Sequence, residues 1–361
     1  VNGKELRDRL ETLFSPEATG PSLEALFSSF DVGMPGDGLP AEPDVDGAPP
    51  AVAAPARSKK RKRRLRLPRP SLRGRLTLSL EPGELRLLVT RGQRISGWAS
   101  ASLAGDVLRN GEVVQPTAFG QAVARLVEET GAPRRRTVVS LSGERSLVRI
   151  LTLPSVPPQM LDEAVRRQAR RELPLPLEEL YLSWQLLGDR AASSLRVITI
   201  GMPREAVENC VAGLRVAGLR PAAMDLKPLA LVRAVNLPDV IVANLEQETG
   251  SVVLVRGFVP QITRSIALPG AADQSVAERA AHLAGEIDRT LECYSSTAGS
   301  GLSAWSPAVC LTGALGDAPD VVSRIAMQWP IVEPAPPLAL PRNMPALRYM
   351  VNVGLAVKRL K

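Results

Sequence analysis

Residues able to do chemistry are few in this chain, and their spacing is wrong for catalysis. His282 is the single histidine and lies in Ala280-Ala281-His282-Leu283-Ala284, a helical run, which argues against a Ser-His-Asp triad or a Cys-His dyad. Cys210, Cys293 and Cys310 are far apart with no C-x-x-C spacing, so neither a zinc site nor a disulfide framework is indicated and a reducing compartment fits. Gly299-Ser300-Gly301 lacks the lysine of a P-loop and the spacing of a dinucleotide fingerprint. The scattered carboxylates form no recognisable acid/base pair. What remains is charge. Between Arg57 and Arg75 there are eleven Lys/Arg and no acid, leaving 34 basic against 37 acidic residues elsewhere, so the net +8 belongs to one segment. Its centre is Lys59-Lys60-Arg61-Lys62-Arg63-Arg64. Three readings apply: a solvated linker, an arm for anionic lipid at about 1 kcal/mol per cation near the surface, or a nucleic-acid backbone contact. No aromatic residue is interleaved to stack on bases, so the membrane surface is preferred over nucleic acid.

The elements that would position such residues come next. With 45% apolar and 23% charged residues the 361-residue chain is globular, and aromatics at 3% leave Leu, Val and Ala to build the core. No run approaches the length of a membrane span and no signal-peptide order is present, so a cytoplasmic protein is expected. Residues 1–30 carry two short amphipathic patterns, and 31–75 reads as a disordered linker with the basic run. Strands are expected at 76–80, 85–90, 95–103, 137–141, 147–153, 195–200, 240–245, 251–256, 261–268 and 308–312. Helices are expected at 116–129, 204–216 and 273–294, and one begins after an Asn343 cap and ends near Lys358 and Arg359. Strands then helices, twice over, indicate an α/β architecture in two related halves.

The most specific block follows the strand at 147–153. Pro157 and Pro158 suit a first helical turn. Asp162 and Glu163 stand near the positive end of the helix, while Arg166, Arg167, Arg170 and Arg171 follow toward the negative end. Met160, Leu161, Ala164, Val165, Gln168 and Ala169 mark the buried stripe. Pro174 and Pro176 stop the helix before Tyr181-Leu182-Ser183-Trp184-Gln185-Leu186.

This block, together with Asp225-Leu226-Lys227-Pro228-Leu229-Ala230-Leu231-Val232-Arg233-Ala234, Glu286-Ile287-Asp288-Arg289-Thr290-Leu291-Glu292-Cys293-Tyr294, Leu311-Thr312-Gly313 and Val353-Gly354-Leu355-Ala356, resembles the PilM family of type IV pilus assembly, and more distantly GspL. The resemblance covers about 76–361. It implies an actin-like, FtsA-related two-lobed fold with an inserted subdomain at about 115–218, a second lobe at about 239–343 and a C-terminal helix at 344–360. It also implies a cytoplasmic scaffold, peripheral at the inner membrane, that binds the cytoplasmic tail of a PilN-like inner-membrane protein and serves other pilus assembly components. The partner tail is expected near Arg166, Arg170, Trp184 and Leu186.

Members of that family that bind ATP and Mg²⁺ present glycine-bearing turns to the phosphates. Here the vestigial nucleotide positions are Glu81 and Gly83 in the first turn, Asn244, Glu246 and Thr249 in the second, and Gly313 in the third. Glu81 and Glu246 replace glycines, Asn244 replaces a metal-linked aspartate, and two glutamates facing a triphosphate would repel it. No cofactor, no metal site and no ATPase activity are therefore expected. The alternatives are an active actin-like ATPase and a lipid- or nucleic-acid-binding adaptor acting through the basic arm.

Overall fold

Residues 74–360, apart from 110, 143–144, 189–192, 269–273 and 299–305, are described by the structure, a computed structural model. The readings of residues 1–30 and of the basic arm lie outside the described residues.

The fold starts with a strand of alternating leucines, β1 (Gly74–Glu81), which turns at Pro82-Gly83 into β2 (Glu84–Arg91). Proline presets the first turn residue, and Gly83 takes φ 72°, which a side chain would resist. β3 (Arg94–Ser102) continues the meander. After a small ribbon, β4 (Leu108–Arg109) and β5 (Glu112–Val113), come α1 (Pro116–Thr130) and β6 (Thr137–Leu141). A three-stranded unit then intervenes: β7 (Leu147–Pro154), α2 (Leu161–Glu172), β8 (Leu180–Leu187) and β9 (Ser194–Pro203). The chain returns through α3 (Arg204–Val216) to β10 (Pro221–Leu226). The first sheet has the order β10-β6-β1-β2-β3, with β1, β6 and β10 parallel.

α4 (Lys227–Val235) leads to the second lobe, comprising β11 (Val240–Leu245), β12 (Thr249–Arg256), β13 (Val259–Ala267), α5 (Val276–Ala298), β14 (Val309–Thr312) and α6 (Pro319–Ala326). Its sheet, β13-β12-β11-β14, repeats the first sheet's plan of a meander with a parallel strand added beside its first member. α7 (Met350–Ala356) closes the fold.

Five layers result. α1 and α3 cover one face of the first sheet around Leu76, Leu78, Phe119 and Val123. α4 and α7 lie between the two sheets, against Leu88 and Val138 on one side and Val240, Val242 and Val253 on the other. α5 and α6 cover the far side of the second sheet with Leu283, Ile287, Val321 and Ile325. Strands covered on both faces are buried almost throughout, as β1, β2 and β11 are, and the polar residues that β1 and β2 carry there need partners. The central helices touch backbone to backbone, since a Cβ added to Gly354 would fall 1.8 Å from the Ala230 carbonyl oxygen.

Four expectations change. The intervening sheet spans Leu147–Pro203, narrower than 115–218, because α1 packs on the first sheet and β6 is one of its strands. Asn343 caps no helix: a 3₁₀ turn at Ala346–Tyr349 intervenes and Tyr349 is the residue before α7. Lys358, expected at the helix C-terminus, lies beyond α7, which ends at Ala356, and is buried beside Asp225. Met160 is half exposed because it belongs to a 3₁₀ turn ahead of α2, out of phase with the stripe formed by Leu161, Ala164, Val165 and Ala169.

Candidate functional site

The turns β1–β2 and β11–β12 meet in the cleft between the lobes, around a cavity of about 350 Å³ lined by Glu81, Glu84, Arg86, Glu246, Glu248 and Arg348 among others. Gly83 lines it as well, so the structure brings together Glu81, Gly83 and Glu246 as the sequence suggests.

The two glutamates are paired rather than bare. Lys227, the first residue of α4, reaches back to Glu81, which is 2% exposed. Arg86, 1% exposed on β2, grips Glu246 with two bonds, Nη1 to Oε1 at 3.0 Å and Nη2 to Oε2 at 2.6 Å. The same guanidinium donates through Nε to Glu84 Oε2 at 2.8 Å and through Nη1 to the Arg348 carbonyl at 2.7 Å. Arg348 in turn pairs with Glu84. Glu246 Oε2 also accepts the Ala314 backbone N–H at 3.1 Å. A carboxylate of the protein thus sits between a planar cation fork and a backbone amide donor, the arrangement that holds an anion.

Burial pushes the Glu81 carboxyl above its ordinary range; Lys227 opposes this and Glu246 adds to it. Glu84 behaves in the opposite way. Burial raises it, yet Arg86 and Arg348 outweigh burial and hold it low. Arg86 is raised despite its burial, through the bonds and charge of Glu246 and the charges of Glu81 and Glu84.

The signs of these shifts give a pH prediction. A carboxylate with a depressed folded pKa contributes stability above its unfolded value of 4.5, and that stability is lost as pH falls through the folded value. Glu81, being raised, contributes below 4.5 and loses its contribution as pH rises. Replacing Glu84 by glutamine is therefore expected to shrink the fall in urea midpoint on acidification below 4.5; an unchanged fall would remove Glu84 as a source of acid lability.

Asn244, 1% exposed, accepts a bond from the Thr312 hydroxyl at 3.2 Å. Thr249 closes its turn by accepting the Glu246 N–H at 2.8 Å. Gly313, at φ 95°, passes so close to β11 that a Cβ would lie 2.3 Å from the Leu245 carbonyl oxygen. Among the described residues no group of three or more His, Cys, Asp or Glu is placed to hold a metal ion.

The expected partner residues divide. Arg166 and Arg170 are exposed on α2. Trp184 and Leu186 pack beneath that helix against Leu161 and Val165. Trp184 Nε1 donates to Asp162 Oδ1 at 2.8 Å while Arg166 Nε donates to Asp162 Oδ2 at 2.8 Å, so the indole anchors the helix that displays the arginines. Arg170 stands 4.0 Å from Glu178.

Sequence reasoning missed Arg86, Lys227, Glu84 and Arg348. A signal existed for the first. Arg86 interrupts Leu85-Arg86-Leu87-Leu88-Val89, and a lone cation in a strand buried on both faces needs a buried partner.

Two sheets of repeated topology around a cleft, with a further three-stranded unit inserted into the first lobe, define an actin-like fold. The family described as type IV pilus assembly protein PilM matches residues 85–257. A solved PilM–PilN type IV pilus biogenesis complex contains a chain 22% identical, with 80% of this chain and 98% of that one aligned at a TM-score of 0.66. The cytoplasmic domain of EpsL, an inner-membrane component of the type II secretion system of Vibrio cholerae, is 14% identical over 80% of this chain and 97% of its own, with a TM-score of 0.45. The ethanolamine utilization protein EutJ of Carboxydothermus hydrogenoformans is 12% identical over 81% and 91%, with a TM-score of 0.43. No relative is found among curated protein sequences. Residues 85–257 of this chain therefore resemble the PilM family, and the likeness in fold extends over most of the chain.

Proposed function

We propose that the chain is a scaffold of type IV pilus assembly that binds the cytoplasmic tail of a PilN-like inner-membrane protein and works without nucleotide turnover. The observation that carries the absence of turnover is the Glu246 carboxylate, held by Arg86 and the Ala314 N–H where an external anion would need those donors. The two glutamates act by occupation rather than by bare repulsion: each is already neutralised, so a phosphate would have to break a buried ion pair to enter. Asn244 in place of an aspartate removes a hard anionic ligand for Mg²⁺. The partner half of the reading rests on the family and on the solved PilM–PilN complex. Arg166 and Arg170 on α2 are the side chains offered to the tail, with Trp184 and Leu186 holding the helix in place.

Calorimetry tests both halves. Titration of the full chain with ATP–Mg²⁺ at millimolar level is expected to release no binding heat, whereas synthetic N-terminal tails of inner-membrane proteins encoded beside it should include one that binds saturably. Micromolar ATP binding would overturn the first half, and failure of every tail would overturn the second.

A further inference from the structure

At the end of the first sheet remote from the cleft, every strand carries or is preceded by an arginine within a residue of the same level. Arg91 pairs with Arg94, which puts them side by side on β2 and β3, and Arg75, paired with Thr90, lies one residue further in on β1. Thr77 is level with Val138 on parallel β6, so Arg75 and Arg136 are level two residues earlier. Thr137 is level with Pro221, so Arg136 and Arg220 precede β6 and β10 together. At about 4.8 Å between strands, the row spans about 19 Å.

Arg91, Arg94, Arg135, Arg136 and Arg220 are exposed, and among the described residues none of them enters an ion pair. Arg75 is half-buried, with Nη1 donating to the Lys358 carbonyl at 2.6 Å. Arg134 occupies the neighbouring Glu128. The like charges feel one another: Arg75 is lowered first by burial and then by Arg136, and Arg215 first by burial and then by Arg220. Arg136 is also held at φ 58°, a left-handed conformation uncommon for a residue with a side chain. The chain enters this edge from the segment 57–73, which adds ten Lys/Arg and no acid.

We infer that the arginine edge is a docking face for an anionic lipid surface, which turns this end of the first sheet toward the bilayer. Two features favour lipid over nucleic acid. Leu65, Leu67 and Leu72 stand among the arm's cations, suited to the acyl boundary, while no aromatic residue is there to stack on bases.

The test is co-sedimentation of the full chain with vesicles at physiological ionic strength. Binding to equimolar phosphatidylglycerol and phosphatidylcholine is expected, and none to phosphatidylcholine alone. Each cation near such a surface is worth about fivefold in partition, so replacing Arg91, Arg94, Arg135, Arg136 and Arg220 by serine, with the arm intact, should weaken binding about a hundredfold or more. The same change at Arg109, Arg149, Arg196 and Arg289, exposed elsewhere, should leave it nearly unchanged. Undiminished binding by the edge variant, equal loss in the control variant, or tighter binding to duplex DNA than to the charged vesicles would each overturn the inference. Should the fivefold variant melt early, Arg94→Ser and Arg220→Ser decide the matter singly, each with an expected loss of about fivefold.

Discussion

Replacing Arg86 by alanine is expected to cost about 3–5 kcal/mol of folding stability, because Glu246, 2% exposed, would be left as an uncompensated buried charge. The carboxylate would keep only the Ala314 N–H, while Glu84 would keep Arg348 and Ser100. Removing both charges tells a different story. In Arg86→Met with Glu246→Leu the desolvation penalty disappears with the pair, so most of the loss should be recovered. Urea denaturation of the two variants beside the parent checks this, and a single-variant loss below about 1 kcal/mol would mean that water reaches the pair and that the cleft is open. Because Arg86 belongs to the first lobe and Glu246 to the second, the single variant should also loosen the lobes against each other, visible as faster amide exchange in both turns.

The second large effect is steric. Gly354 lets α7 lie against α4 with backbone in contact, and the atom that a Cβ would meet at 1.8 Å is the Ala230 carbonyl oxygen. Backbone cannot swing aside as a side-chain tip can, so even Gly354→Ala must part the two central helices that both sheets pack on. A loss of about 3 kcal/mol or more is expected, at the upper end for overpacking. A thermal melt within the error of the parent would show that the crossing can open without cost.

Much of the fold could be read because it is local. Pro82-Gly83 marks the first hairpin, and the alternation of Leu76, Leu78 and Leu80 marks its strand. β10 escaped because Pro221-Ala222-Ala223-Met224 has neither β-branched residues nor alternation; it is a strand because β6 pairs with it in parallel. The cleft was legible on one side only. Glu81 and Glu246 stand out at turn positions, but their partners Lys227 and Arg86 lie 146 and 160 residues away in sequence, and only the folded topology brings them together. The arginine edge is of the same kind. Five arginines between positions 75 and 220 look scattered until strand register puts them in a row. The helix α2 block was legible in its charges, yet Trp184 read equally well as a surface anchor, because its bond to Asp162 depends on how β8 packs under the helix.

The position of β1 has a mechanical consequence. The chain segment before Gly74 runs into a strand that is neither an edge nor the end of a sheet: β2 pairs with it along its whole length on one side and β6 on the other. Hydrogen bonds of an antiparallel ladder lie across the strand direction. Tension applied along that segment therefore pulls β1 lengthwise and loads both ladders in shear, all bonds at once, whereas an edge strand pulled from its corner would unzip one bond at a time. A body pulled through this segment would take the load in the central strand of its first sheet, whose far end at Glu81 lines the cleft, while the inserted sheet stays outside the line of pull.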